Sequence, residues 1–163
     1  MKMCTSNIVG AVTTALMLAC LISCSGKPAE TIAEINFANA ELPDAVAEIS
    51  GFSDRESWGR WSDANIAPTA KIRFKHPLPQ QFSITLTGQS IPSNETSVIK
   101  IGKFEEQFYL QKLSDIATID VKLDRPEDTI EIIPPDPASP KKLGLNEDPR
   151  KLGVGIATLL IEK

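Results

Sequence analysis

From Lys71 onward, apolar and polar residues alternate along most of the chain. Lys71-Ile72-Arg73-Phe74-Lys75 and Phe82-Ser83-Ile84-Thr85-Leu86-Thr87 alternate strictly, and residues 98–101, 104–110, 117–123 and 129–133 continue the series. Successive side chains of a strand point to opposite faces, so a period of two predicts strands with one face buried. Residues 154–161 are apolar almost throughout, as expected of a more deeply buried last strand. Turn signals separate the pieces: Pro77 and Pro79, residues 88–94, Gly102, and Arg125-Pro126-Glu127-Asp128. Short strands so spaced and punctuated predict an all-β fold, a β-sandwich with jelly-roll-like connectivity.

Two stretches depart from this rhythm. Residues 31–37 read as a strand, whereas residues 42–49 fit a short helix begun at Pro43 or an edge strand running into Gly51; we take the strand. Residues 134–153 begin Pro134-Pro135-Asp136-Pro137 and end Asp148-Pro149-Arg150-Lys151-Leu152-Gly153. Proline fixes the backbone and removes donors, so this stretch is a loop, and one so long in a compact domain serves function or motion.

The N-terminus sets the expected address. Lys2 is followed by an apolar run, residues 8–22, too short to span a bilayer comfortably and of signal-peptide length. It ends Leu21-Ile22-Ser23-Cys24, which resembles a bacterial lipobox. The expected organisation is a lipoprotein signal peptide over residues 1–23, a linker over 24–30 and one β-sandwich over 31–163. Cys24 would be lipidated and tether the domain to the lipid bilayer, with Ser25 after it favouring the outer membrane of a bacterial cell envelope. All three cysteines, Cys4, Cys20 and Cys24, lie in the leader or at its end. No disulfide, thiol nucleophile or cysteine metal site is expected in the domain.

Charge narrows the partners. The chain carries −4, and −5 without Lys2. A mild negative balance without basic clusters excludes nucleic acid as a partner. The single histidine, His76, stands before Pro77 and offers no recognisable zinc site, and no G-x-S-x-G elbow presents a serine to it. No glycine-rich phosphate loop occurs, and no cofactor or metal is implied.

Candidate chemistry gathers in Gly51-Phe52-Ser53-Asp54-Arg55-Glu56-Ser57-Trp58-Gly59-Arg60-Trp61-Ser62-Asp63, which holds both tryptophans. Indole faces beside planar charged groups suit sugar recognition: Trp58 and Trp61 would stack, Arg60 would donate and Asp63 would accept. Arg150 would bring a second guanidinium. Equally, the tryptophans would seal one end of the core while Arg60 or Arg150 pairs with Asp63 or Asp148. Asp54, Glu56 and Asp63 are the carboxylates from which a glycosidase pair would be drawn. Lys141 and Lys142 read as solvated loop charges.

Residues 53–64, Ala67-Pro68, Phe74-Lys75-His76-Pro77-Leu78-Pro79, Ile132-Ile133-Pro134-Pro135-Asp136-Pro137 and Asp148-Pro149-Arg150-Lys151-Leu152-Gly153-Val154-Gly155 together resemble the C-terminal domain of the phosphoglycerol transferase I family. Those inner-membrane enzymes decorate osmoregulated periplasmic glucans. The similarity spans about residues 49–163. Their catalytic part resembles alkaline phosphatases, with an Asp/His metal site and a hydroxyl nucleophile, for which 163 residues leave no room. The resemblance therefore implies the accessory, non-catalytic module alone, and with the tryptophan segment the expected function is binding of a glycan or glycan-linked partner. Its alternatives are docking on an envelope protein, or transferase-related activity supplied by a partner.

Overall fold

A computed structural model describes residues 29–163. The expected leader, the lipidation site Cys24 and most of the 24–30 linker lie outside the described residues. The rest forms ten strands: β1 (Thr31–Asn36), β2 (Val46–Ser50), β3 (Arg60–Asp63), β4 (Ala70–Leu78), β5 (Gln81–Ser90), β6 (Thr96–Ile101), β7 (Phe104–Tyr109), β8 (Asp115–Lys122), β9 (Glu127–Ile133) and β10 (Leu152–Glu162). The described residues contain no helix. The alternating stretches became strands, and the ambiguous 42–49 resolves as β2 from Val46.

All pairings are antiparallel. The first sheet runs β1-β10-β5-β8, with β3 also on β10, and the second runs β2-β4-β9-β6-β7. Setting β2 and β3 aside, the remaining eight strands interleave as two Greek keys, the connectivity of a jelly roll. Their inner faces meet in one core in which Ile35, Ile84, Leu86, Ile99, Ile101, Ile130, Ile132 and Ile156 are completely buried. The isoleucines follow from the alternation: β-branched side chains pack well on a pleated, half-buried surface.

β10 is the spine. Its first half pairs with β3 and its second half with β1, while β5 lines the other edge throughout. Both backbone edges are therefore satisfied inside the sheet, which accounts for its apolar composition. Where the strand changes neighbours, the register slips between Ile156 and Thr158. A second irregularity lies in β4, whose pairing with β9 skips from Arg73 to Leu78. Pro77 sits in that gap, where no ladder donor is needed.

The outer face of the second sheet is laced with cross-strand ion pairs: Lys71–Glu131 at 2.6 Å, Arg73–Glu48 at 2.8 Å and Lys100–Glu105 at 2.8 Å. These exposed pairs match charges directly across the ladder and are screened by solvent, so they set register more than stability. The outer face of the first sheet is built differently and carries the tryptophans at one end.

Candidate functional site

Residues 51–63 fold back on themselves. Asp63 N donates to Gly51 O at 2.9 Å, Ser53 N to Trp61 O at 2.8 Å, and Glu56 N to Gly59 O at 2.8 Å, closing the tip. Gly51 is required at the base: its φ is +73°, and a Cβ there would stand 2.4 Å from the Thr69 carbonyl oxygen. Phe52 packs on Phe37 with ring centroids 5.1 Å apart. The return limb is β3, a strand that composition conceals because its buried positions are polar and satisfied by hydrogen bonds. Ser62 Oγ accepts from Val154 N at 3.0 Å, and Asp63 Oδ1 accepts from Asn65 N at 2.9 Å.

β3 lays Trp61 across from Gly155 of β10. Val154 and Ile156 point into the core, so Gly155 faces outward, and the indoles occupy the space a side chain would fill. A Cβ on Gly155 would lie 2.4 Å from Trp58 Cη2 and 2.9 Å from Trp61 Cε3. The two rings meet edge to face, centroids 5.3 Å apart and planes at 79°. Both are half-buried. Trp58 Nε1 donates to Glu56 Oε2 at 3.0 Å.

Glu56 links the indoles to the long loop. Its Oε1 accepts from Arg150 Nη2 at 2.9 Å. Arg150 also forks onto Asp148, with Nη2 at 2.6 Å and Nε at 3.0 Å from Oδ2. The Asp148 backbone carbonyl in turn receives Ser139 Oγ and Lys141 N, both at 2.9 Å. The chain Trp58–Glu56–Arg150–Asp148 thus ties the tryptophan segment to residues 139–150.

The guanidinium of Arg150 donates into Asp148 and holds its carboxyl below the usual carboxylate range; the same bonds, with Glu56, raise Arg150 further above its already high value. A carboxyl depressed in the folded state stabilises fully above its unfolded pKa and loses that contribution as pH falls through the folded value. Arg150→Met is expected to cost about 1 kcal/mol at pH 7, discounted because the pair is partly solvated. The gap between variant and parent should start to close as pH falls below the ordinary aspartate range and close fully only once the depressed Asp148 carboxyl of the parent is protonated. Urea midpoints across pH check both.

The remaining candidates are placed apart. Arg60 adjoins Trp61 on β3, so strand alternation sends it to the opposite side, where Nε reaches Phe37 O at 3.4 Å. Arg55 Nη1 donates to the neighbouring Ala38 O at 3.3 Å, and the two arginines hold the end of β1. Asp63 is only 4% exposed and folds its carboxylate onto its own turn. The structure therefore gathers Trp58, Trp61 and Arg150, and leaves Arg60 and Asp63 to one side. Among the glycosidase candidates, Glu56 is held by Trp58 and Arg150 while Asp54 is exposed. His76 is exposed on β4, and Lys141 pairs with Glu147 at 2.8 Å. Among the described residues no three His, Cys, Asp or Glu side chains group as a metal site.

Two contributors escaped sequence reading in their actual roles, Gly155 as the seat of the indoles and Asn94 as an anchor for the loop. Asn94 Nδ2 donates to Asp136 O at 2.7 Å, and Asp136 N returns a bond to Asn94 Oδ1 at 2.9 Å. The only sequence signal for Gly155 was its glycine inside an otherwise apolar run.

A jelly-roll sandwich with an indole pair seated on its central strand and latched to a proline-rich loop defines a class of small β-sandwich modules. Within that class, residues 27–163 match the family described as a domain of unknown function, DUF7024, and the chain belongs to that family. It is also 35% identical over 128 residues to phosphoglycerol transferase I of Escherichia coli O139:H28 (strain E24377A) and of Shigella boydii serotype 18. The match covers 77% of this chain and 17% of each relative, so the chain spans about a sixth of their length. The matched part is the C-terminal region of the transferase, as the tryptophan motif implies.

Proposed function

We propose that this chain is a non-catalytic module of the bacterial cell envelope, anchored through lipidated Cys24 in the outer membrane, and that its sandwich binds a glycan. The observation that carries the proposal is the pair of partly exposed indoles held over Gly155 on an outer sheet face. Rigid aromatic surface needs no ordering on binding, and carbon–hydrogen faces of sugar rings stack on it. Similarity to an enzyme named for phosphoglycerol transfer supports an envelope setting. Arg150 contributes by fixing Glu56, and through it Trp58, rather than by donating its full fork to a ligand.

Stacking with few charged contacts gives micromolar to millimolar affinity, roughly −4 to −8 kcal/mol. A membrane tether raises the effective concentration. Titration of the protein with periplasmic glucan should give saturable binding that weakens at least tenfold in Trp61→Ala, while Trp61→Phe retains part of it. Saturable binding unchanged in Trp61→Ala, or no binding by folded protein, would refute the proposal.

A second reading, docking on an envelope protein, is favoured by the exposed Ile66, Leu143 and Leu145 in the loops. Photo-cross-linking from residues 143 and 145 in cells should then yield one dominant protein adduct.

A further inference from the structure

The two outer faces of the sandwich differ in chemistry. On the second sheet, acids and bases pair across the strands. On the first sheet, the register lines up side chains in rows. Trp61, Gly155 and Gln89 form the first row; Asn36, Thr158, Thr87 and Ile116 the second; Glu34, Leu160, Thr85 and Thr118 the third. Their outward direction follows from the burial of the alternate residues Ile84, Leu86, Leu159 and Ile119. Only Glu34, on the flanking strand β1, bears a charge in these three rows. Thr85 and Thr118 lie with their hydroxyls 3.3 Å apart. Among the described residues no protein group hydrogen-bonds the side chains of Thr87, Thr158 or Gln89, so these hydroxyls and the amide are open to a ligand. Below the third row, Ser83, Asp120, Lys122 and Glu162 border a shallow depression of about 560 Å³.

We infer that this strip is the glycan-binding platform, taking an uncharged polysaccharide chain that begins on the indoles and runs along β5. This rests on the glycan reading above and says where, and for which chemical class, binding occurs. Three properties select an uncharged glycan. The strip is hydroxylic and almost free of charge, so an ionic partner gains nothing there, while the paired charges of the other sheet would have to be desolvated by any ligand. Hydroxyls that both donate and accept match sugar hydroxyls without a fixed polarity. Apolar surface bounds the strip at both sides, indoles at one and Ile116, 67% exposed, at the other, which suits the alternating polar rim and apolar face of a pyranose. From Gln89 to Thr85 the three rows run about 14 Å, enough for a short run of sugar units, and the next row, Glu162, Ser83 and Asp120, ends the strip with charge.

The test uses the full chain, a panel of unsubstituted glucose hexasaccharides differing in linkage, and single lysines placed on either face. With a hexasaccharide that binds, Thr87→Lys and Thr85→Lys should each weaken binding at least tenfold. Thr129→Lys on the second sheet should leave it unchanged. Backbone amide shifts on titration should follow β5 and β10 and spare β6 and β9. If Trp61→Ala abolishes binding while Thr87→Lys and Thr85→Lys do not, the sugar sits on the indoles alone and the platform is refuted, with the glycan reading intact. If Thr129→Lys weakens binding as much as Thr87→Lys, the face assignment is likewise refuted. If no hexasaccharide binds up to about 10 mM while periplasmic glucan still does, the platform fails and the glycan reading stands; if neither binds, both fail.

Discussion

Gly155→Val is expected to lower the unfolding free energy by about 3 kcal/mol and to abolish the near-ultraviolet circular dichroism of the coupled indoles. The first atom of the new side chain would fall 2.4 Å from Trp58 Cη2 and 2.9 Å from Trp61 Cε3, well inside contact distance. Neither ring can step aside freely. Trp58 is held by Glu56, itself held by Arg150, and Trp61 is fixed by β3 pairing on both sides. Nor can β10 retreat, because β5 is packed so closely that a Cβ on Gly88 would stand 2.1 Å from the Gly155 carbonyl oxygen. Gly144→Ala is the control: φ is +71° there but no atom lies within 4 Å of the added carbon, so only backbone strain of about 1 kcal/mol is incurred. Urea denaturation of the two variants should therefore rank Gly155→Val well below Gly144→Ala. The reverse order would mean that the indoles do not rest on the strand.

Most of the sandwich was legible in the sequence because alternation is a direct record of which face is buried. Ile72 and Phe74 among lysines and arginine, or Ile84 and Leu86 among threonines, can satisfy only one orientation of a strand. Strand order was not legible. Nothing in the composition of β10 says that β3 and β1 share one of its edges in succession, since pairing joins residues as far apart as Arg60 and Ile156. β3 itself was hidden for a physical reason. Its Ser62 and Asp63 are buried although polar, because Ser62 Oγ accepts from Val154 N across the sheet and Asp63 accepts from Asn65 N in the following turn, so no apolar alternation marks the strand.

The same local accounting separated the site candidates. Two tryptophans three residues apart would share a face on a helix, yet here Trp58 lies beyond the strand and reaches Trp61 only because the tip of 56–59 bends back. Arg150 and Asp148, two apart across Pro149, close a fork on each other, the internal pairing weighed against ligand binding from the start. Arg60 and Trp61 are neighbours in sequence and hence on opposite sides of a strand. Adjacent residues in a β protein share a site less readily than residues two apart. What could not be read was the neutral strip on β5, β8 and β10, because it exists only through their register.

Asn94→Ala is expected to cost about 2 to 3 kcal/mol and to free the long loop that bears Arg150. Asn94 is completely buried, and its amide grips one residue of that loop from both sides, donating to Asp136 O at 2.7 Å and accepting from Asp136 N at 2.9 Å. Alanine would remove both bonds, each contributing roughly 1 kcal/mol, and leave the completely buried Asn94 site unfilled, while water replaces the bonds only from the exposed side of Asp136. The Asp136 amide should then exchange its hydrogen much faster than in the parent, as local opening no longer requires breaking that bond. Asn94→Asp discriminates between lost packing and lost bonding. It keeps the shape and the acceptor but sets a carboxylate oxygen against the Asp136 carbonyl, so it should be at least as harmful as alanine at pH 7. At low pH the protonated acid can donate in place of the amide, and the deficit should shrink as the solution is acidified through the raised pKa of that buried carboxyl. An Asn94→Ala variant as stable as the parent at pH 7 would show that the two bonds contribute nothing and that the loop is held elsewhere.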